Sequence, residues 1–365
     1  MTGGVPIADR RFTRRVSQEA ATSTGEAAAS ATAAWFELLM RERASPYEYL
    51  RTEILPQLAP PPFGDIEMER LSQDKPVYLF TEKATRVEVV GKLFERDSVP
   101  LEEAWSSAEK EYSNLGLLRN GYAMSSGDCY VVAALGKSKE LCALLVTERA
   151  PGRLLDWYIA EAIRERKPGL LLEKLAALAR FFAKLHRNGE TDYQVSPALP
   201  QSYLDRLLGS LDRSILSDSE RCAVDEYARR WWACESAFAT DVEVLVHGDA
   251  TPTNFFFDDQ AVIGIDLERM KRADRCWDLG FMAAELKHHF MWRMGDAWAA
   301  EPFISHFLWE YARHYGGIRF FRTMTCKIPL YMALGLLRIA RNAWLGGVYR
   351  QSLAREARSC LQYGL

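Results

Sequence analysis

From Ser17 to Ala34 the chain carries no large apolar side chain; Ala, Ser, Thr and Glu dominate. Such a stretch buries too little surface to offset the entropy of ordering it. Residues 1–34 are therefore expected to form a disordered arm. Trp35, Phe36, Leu38, Leu39 and Met40, then Tyr47, Tyr49, Leu50, Ile54 and Leu55, recur at helical spacing, which predicts a helical extension over 35–70, broken by the run Ala59-Pro60-Pro61-Pro62-Phe63-Gly64. The period then changes. Pro76 to Phe80 and Arg86 to Phe94 are rich in β-branched and aromatic residues around a polar turn, the signature of a hairpin. Leu101 to Leu118 returns to a helical pattern. Tyr130 to Leu135 and Leu141 to Thr147, joined by Gly136-Lys137-Ser138-Lys139-Glu140, read as a second hairpin.

Pro151-Gly152 ends this pattern, and the remainder of the chain is mainly helical. Leu170 to His186 places Leu, Ala and Phe at helical spacing, and Ser217-Asp218-Ser219-Glu220 reads as an N-cap and first turn for a helix running to about Phe238. One β-like island interrupts the helices: Val242–Val246, Phe255–Phe257 and Val262–Ile265. Strands, one helix and strands again, succeeded by helices, predict an α+β chain with two lobes. The expected domains are a small lobe at 71–147 with an antiparallel sheet and one helix, and a larger α-helical lobe at 148–365.

Composition changes this picture little. Forty-six Lys and Arg against 49 Asp and Glu leave a formal charge of −3 in 365 residues, without the clustered positive field that nucleic acid or an anionic membrane surface needs. A hydrophobic share of 48% suits a folded chain with a sizeable core. The seven cysteines, at 129, 142, 222, 234, 276, 326 and 360, show no metal-ligand spacing, which fits reduced core residues in a cytoplasmic protein. Arg10, Arg11, Arg14 and Arg15 precede no leucine-rich run, so no signal peptide is read; Ile328 to Leu337 is too short for a transmembrane segment.

The chemistry concentrates in Val246-His247-Gly248-Asp249-Ala250-Thr251-Pro252-Thr253-Asn254, followed by Ile265-Asp266-Leu267-Glu268. An Asp at a strand end, an Asn five residues on and a second Asp beyond a hairpin bring three oxygen-bearing side chains to one place. Phosphoryl transfer needs that set: a carboxylate to take the proton of the attacking hydroxyl, and hard oxygens to hold Mg²⁺ on nucleotide phosphates.

HGDATPTN and IDLE resemble the HGDxxxxN and IDxE motifs of the aminoglycoside phosphotransferase and choline kinase families, which share a bilobal protein-kinase-like fold. Asp274-Arg275-Cys276-Trp277-Asp278-Leu279-Gly280 is similar to the helix start that comes after the metal Asp there. The resemblance implies an ATP- and Mg²⁺-dependent kinase acting on a hydroxyl of a small molecule. It implies Asp249 as catalytic base, His247 as a brace of its loop, and Asn254 and Asp266 as metal ligands. It further implies Lys92 as the strand lysine on the α and β phosphates, with Glu111 as its helix partner and Glu109 as the alternative. Thr147 and Arg149 would meet the adenine edge through their backbone, or Glu148 and Ala150 after a one-residue slip. Asp278 is implied as a brace. Glu268 has two readings: an oxygen near metal or substrate, or a salt bridge to Arg269 or Arg272.

Two departures bear on substrate class. The turn Thr81 to Arg86 lacks a glycine-rich phosphate loop, and Thr251 stands where protein kinases carry a lysine. Both favour a small-molecule acceptor, such as a sugar, an aminoglycoside-like compound or a glycan, over a protein acceptor; a pseudokinase scaffold is the other alternative. Beyond Asp278 the candidate acceptor residues Glu285, Lys287, His288, His289, Trp292, Arg293, Trp298 and Glu301 show no single charge preference. The sequence leaves the oligomeric state open.

Overall fold

The computed structural model describes residues 46–72, 76–95, 99–234, 238 and 241–364. The expected arm at 1–34, and the part of the helical extension that precedes residue 46, lie outside the described residues.

Five antiparallel strands form the first sheet, in the order β1-β2-β3-β6-β5: β1 Ile66–Arg70, β2 Val77–Glu82, β3 Glu88–Leu93, β5 Ala134–Ser138 and β6 Leu144–Glu148. In β3 the burial alternates with the side-chain period of a strand. Val89, Gly91 and Leu93 point into one core, so Lys92 emerges on the opposite face. Gly91 is required by crowding, since a Cβ there would come within 2.6 Å of the Phe80 ring. That face of the sheet is covered by the helical stretch Pro46–Tyr49 and its continuation Leu50–Ile54, through Leu50, Ile54, Tyr78, Phe80, Val89, Leu93, Leu144 and Val146. The other face receives helix α1, Leu101–Gly116, whose buried positions Ala104, Ala108, Glu111 and Leu115 keep to the helical repeat. Glu111 thus sits in an apolar stripe that points toward Lys92.

Two expectations need correction. The extension read as helical to residue 70 contains strand β1 at Ile66–Arg70, whose charged alternation Ile-Glu-Met-Glu-Arg suits an edge strand with one half-buried face. The second hairpin is built by β5 and β6 alone. Residues 129–131 form a separate strand β4, Cys129–Val131, which pairs in parallel with a strand of another sheet. The continuous apolar run concealed this break. It occurs where Ala133 N–H turns to the Glu148 carboxylate and the Val131 carbonyl accepts from Arg119.

That second sheet has the order β4-β10-β9-β7, with β7 Arg153–Leu154, β9 Phe255–Asp258 and β10 Ala261–Gly264; β8 Val244–Val246 pairs with β11 Lys271–Ala273. Around these strands pack α2 Leu155–Glu165, α3 Gly169–Asn188, α4 Ala198–Ser210, α5 Asp218–Ala233, α6 Cys276–Met294, α7 Glu301–Arg313, α8 Ile318–Thr325, α9 Ile328–Ala340 and α10 Gly347–Tyr363. The capping box read at Ser217 is present, with Ser217 and Glu220 satisfying each other's backbone N–H. The largest core joins α1 to this helical half. Among the described residues no helix is long and apolar enough to cross a membrane.

Candidate active site

The loop after β8 is held by one buried carboxylate. Asp278, in the first turn of α6, accepts from His247 N at 2.7 Å, from Gly248 N at 2.9 Å, and lies 3.1 Å from His186 Nε2. His186 Nδ1 in turn lies 2.9 Å from the Tyr311 hydroxyl. Gly248 takes a φ of +82°, and a Cβ on it would come within 2.1 Å of the Arg269 carbonyl, so only glycine fits the turn. The His247 ring packs tilted on Phe255, and its Nε2 donates to the Ile265 carbonyl at 2.9 Å. One side chain therefore couples the loop carrying Asp249 to the segment carrying Asp266.

Asp249 and Asn254 are brought together directly. Asn254 Nδ2 donates to the Asp249 carbonyl at 2.9 Å, which fixes the amide and leaves its side-chain oxygen as the atom for another partner. Asp266 adopts a left-handed backbone, φ 61° and ψ 58°, at the end of the β9–β10 hairpin.

Across from this loop, Lys92 Nζ lies 2.7 Å from Glu111 Oε2, 2.6 Å from Asp266 Oδ1 and 3.0 Å from Glu268 Oε2, and 4.5 Å from the Phe94 ring centre. Glu109 takes a different partner, Lys137, at 2.8 Å. Asn114 Nδ2 donates to the Leu267 carbonyl at 2.8 Å, tying α1 to the Asp266 segment. Burial by itself would lower the proton affinity of Lys92, but Glu111, Asp266 and Glu268 outweigh it and hold the ammonium charged well beyond the ordinary lysine range. Three carboxylates around one ammonium leave an excess of negative charge. Burial, with Asp266 and Glu268 adding to it against the pull of Lys92, pushes the Glu111 carboxyl up to about 7. Oxygens of Glu111, Asp266 and Glu268 lie within 4.8 Å of one another, close enough for a single cation. Glu268 also faces Arg269, at 3.8 Å.

Thr147 lies inside β6, opposite Val90 on one side and Ala134 on the other, and Arg149 succeeds the strand with its side chain on Glu88. The Glu148 backbone N–H is already committed to the Ala133 carbonyl at 2.9 Å.

Among the acceptor candidates, Lys287, His288, His289 and Arg293 are each engaged by other side chains. Lys287 is paired to Glu301 at 2.7 Å and Glu356 at 2.9 Å, a bond between helices. His288 meets the Tyr349 hydroxyl at 2.7 Å, while Arg293 and His289 both meet Asp156. Glu285, two turns beyond Asp278 on α6, is pushed up to about 7 by burial; Arg338 pulls it down, and Asp249 and Asp156 add to the rise. Sequence reasoning missed Arg338. It ends the apolar run of α9 and hydrogen-bonds Asp249 Oδ1. An arginine closing an otherwise apolar helix was the only signal available.

A model of the phosphotransferase enzyme family matches residues 71–321. Among solved structures, a Plasmodium vivax ethanolamine kinase is 13% identical over 82% of this chain and 81% of its own, with a TM-score of 0.52. A thermostable mutant of aminoglycoside phosphotransferase APH(4)-Ia is 14% identical over 83% and 94%, with a TM-score of 0.52. The amicoumacin kinase hAmiN, in complex with AMP-PNP, Ca²⁺ and Ami, is 14% identical over 88% and 95%, with a TM-score of 0.51. At these identities the likeness is one of fold. No curated protein sequence matches.

Proposed function

The chain belongs to the phosphotransferase enzyme family, as a small-molecule kinase acting on hydroxyl groups, and from that premise we propose that it transfers the γ-phosphoryl of ATP, with Mg²⁺, to an alcohol of a sugar, aminoglycoside-like or glycan acceptor. The observation that carries the reading is the convergence on Lys92 of Glu111 from α1 and Asp266 from the second sheet, beside the loop that holds Asp249 and Asn254. The neighbour solved with AMP-PNP and a divalent ion supports the choice of nucleotide and metal class.

In this reading Lys92 meets the α and β phosphates, and Glu111 holds its ammonium in place. Thr147 offers its carbonyl and Arg149 its amide to the adenine edge. Asp266 and the side-chain oxygen of Asn254 are hard donors of the kind Mg²⁺ prefers, and they would hold it. The bound ion supplies neutralising charge on the phosphates. Asp249 orients the acceptor hydroxyl and takes its proton, while His247 keeps the two loops in register. Residues 71–147 and 148–365 act as nucleotide lobe and acceptor lobe.

Asp249→Asn keeps the size and removes the base. Incubated with ATP, Mg²⁺ and a panel of sugars and aminoglycosides, the variant is expected to lose any transfer that the wild type shows by at least about 10²-fold, the span of general-base catalysis. The thermal shift given by MgATP is expected to persist. Turnover close to wild type in Asp249→Asn would remove the assignment.

A further inference from the structure

Both oxygens of the Asp249 carboxylate face a guanidinium. Arg338, with 16% of its side chain exposed, donates from Nη2 to Oδ1. Arg269 places Nε 3.9 Å from Oδ2 and 3.8 Å from Glu268 Oε1, and 54% of its side chain is exposed. Arg269 therefore spans the gap between Asp249 and the carboxylates gathered at Lys92.

Both guanidinium groups are drawn to the one carboxylate that must face the acceptor hydroxyl, so the two positive charges need another partner during the reaction. Phosphoryl transfer provides one, since its transition state spreads negative charge over three oxygens of the transferring group. Two residues beyond Asp249 the chain has Thr251, which brings no charge, and Lys92 is engaged with Glu111, Asp266 and Glu268.

We propose that Arg338 and Arg269 are catalytic residues that bind the transferring phosphoryl group, leaving the Asp249 carboxylate for its oxygens as the nucleotide is engaged. This rests on the ATP-dependent transfer reading above. In the step, the bond between the γ-phosphorus and the bridging oxygen breaks and ADP keeps its electron pair. The bond from that phosphorus to the acceptor oxygen forms, and the acceptor proton passes to Asp249. The arginines exchange no proton.

The test needs no acceptor. Thermal unfolding of the full chain is followed with MgADP alone and with MgADP plus aluminium fluoride, an anionic mimic of the transferring group. The wild type is expected to gain a shift with MgADP and a further increment with the fluoride complex. Arg338→Ala and Arg269→Ala are expected to keep the first shift and lose more than half of the increment, and Arg338→Lys to retain part of it. Wild-type increments in both alanine variants, or none in a wild type that does bind MgADP, overturn the proposal. Should Arg338→Ala lack a cooperative transition, Arg269→Ala and Arg338→Lys decide the matter. A wild type with no MgADP shift overturns the nucleotide reading itself, and the proposal with it.

Discussion

Asp266 and Asp278 stand close in the chain, and both carboxylates lie in the interior, but their surroundings are opposite in kind. Asp278 is matched: two backbone N–H groups and an imidazole, all fixed by the fold, meet its oxygens. Asp266 shares the Lys92 ammonium with Glu111 and Glu268, and although Arg269 lies 3.8 Å from Glu268, three carboxylates crowd that one buried cation. A matched buried carboxylate contributes rigidity, whereas a crowded one is a place where added positive charge is favourable. The contrast separates scaffold from site without reference to any motif.

The contrast is tested most severely at Asp278. Asp278→Ala leaves two loop N–H groups and a buried imidazole without their acceptor, and should lower the unfolding free energy by about 3–5 kcal/mol, read from urea denaturation. A loss under about 1 kcal/mol would mean that the loop is held by other bonds. Asp266→Asn should behave in the opposite way. The apo protein is expected to remain within about 1 kcal/mol of wild type, or to gain, because one like charge leaves the cluster and Asn tolerates the left-handed backbone. MgATP affinity, measured by calorimetry, should fall by about a hundredfold, or about 2.8 kcal/mol. Large destabilisation with undiminished binding would place Asp266 on the scaffold side.

The smallest effect concerns pH. Glu111 binds its proton more tightly folded than unfolded, so between the ordinary carboxylate value and about 7 the folded state holds more protons, and stability must fall as pH rises through that window. Urea midpoints of the apo protein from pH 5 to 8 should show this decline, with a shallower slope in Glu111→Gln. Glu285 contributes with the same sign, and Glu285→Gln separates the two.

Much of this arrangement could be read in advance because it is local. Asp249, Asn254 and Asp266 lie on one short stretch whose spacing reflects a loop and a hairpin, and Lys92 was singled out by the family resemblance, as its strand lysine. Glu111 was one of two glutamates on a charged helix. Only the packing distinguishes them, because Glu111 falls on the buried stripe with Ala104, Ala108 and Leu115, while Glu109 turns to Lys137. Arg338 was out of reach of such reasoning, since it arrives from a helix far along the chain and its meaning depends on which atom it meets. The same holds for β4. Its three residues continue an apolar run, and nothing local shows that the strand pairs with β10 instead of its neighbour in sequence.

That pairing has a mechanical consequence. β4 comes from the chain before the Pro151-Gly152 connection and β10 from the chain after it, yet they share one ladder, with Val262 opposite Cys129 and Gly264 opposite Val131. The two halves are therefore laced together by backbone pairing as well as by the covalent linker and the packing of α1. A protein cut at the linker would still carry this seam, and any bend between the halves that spares its backbone hydrogen bonds must keep Cys129–Val131 on Val262–Gly264, two residues before Asp266.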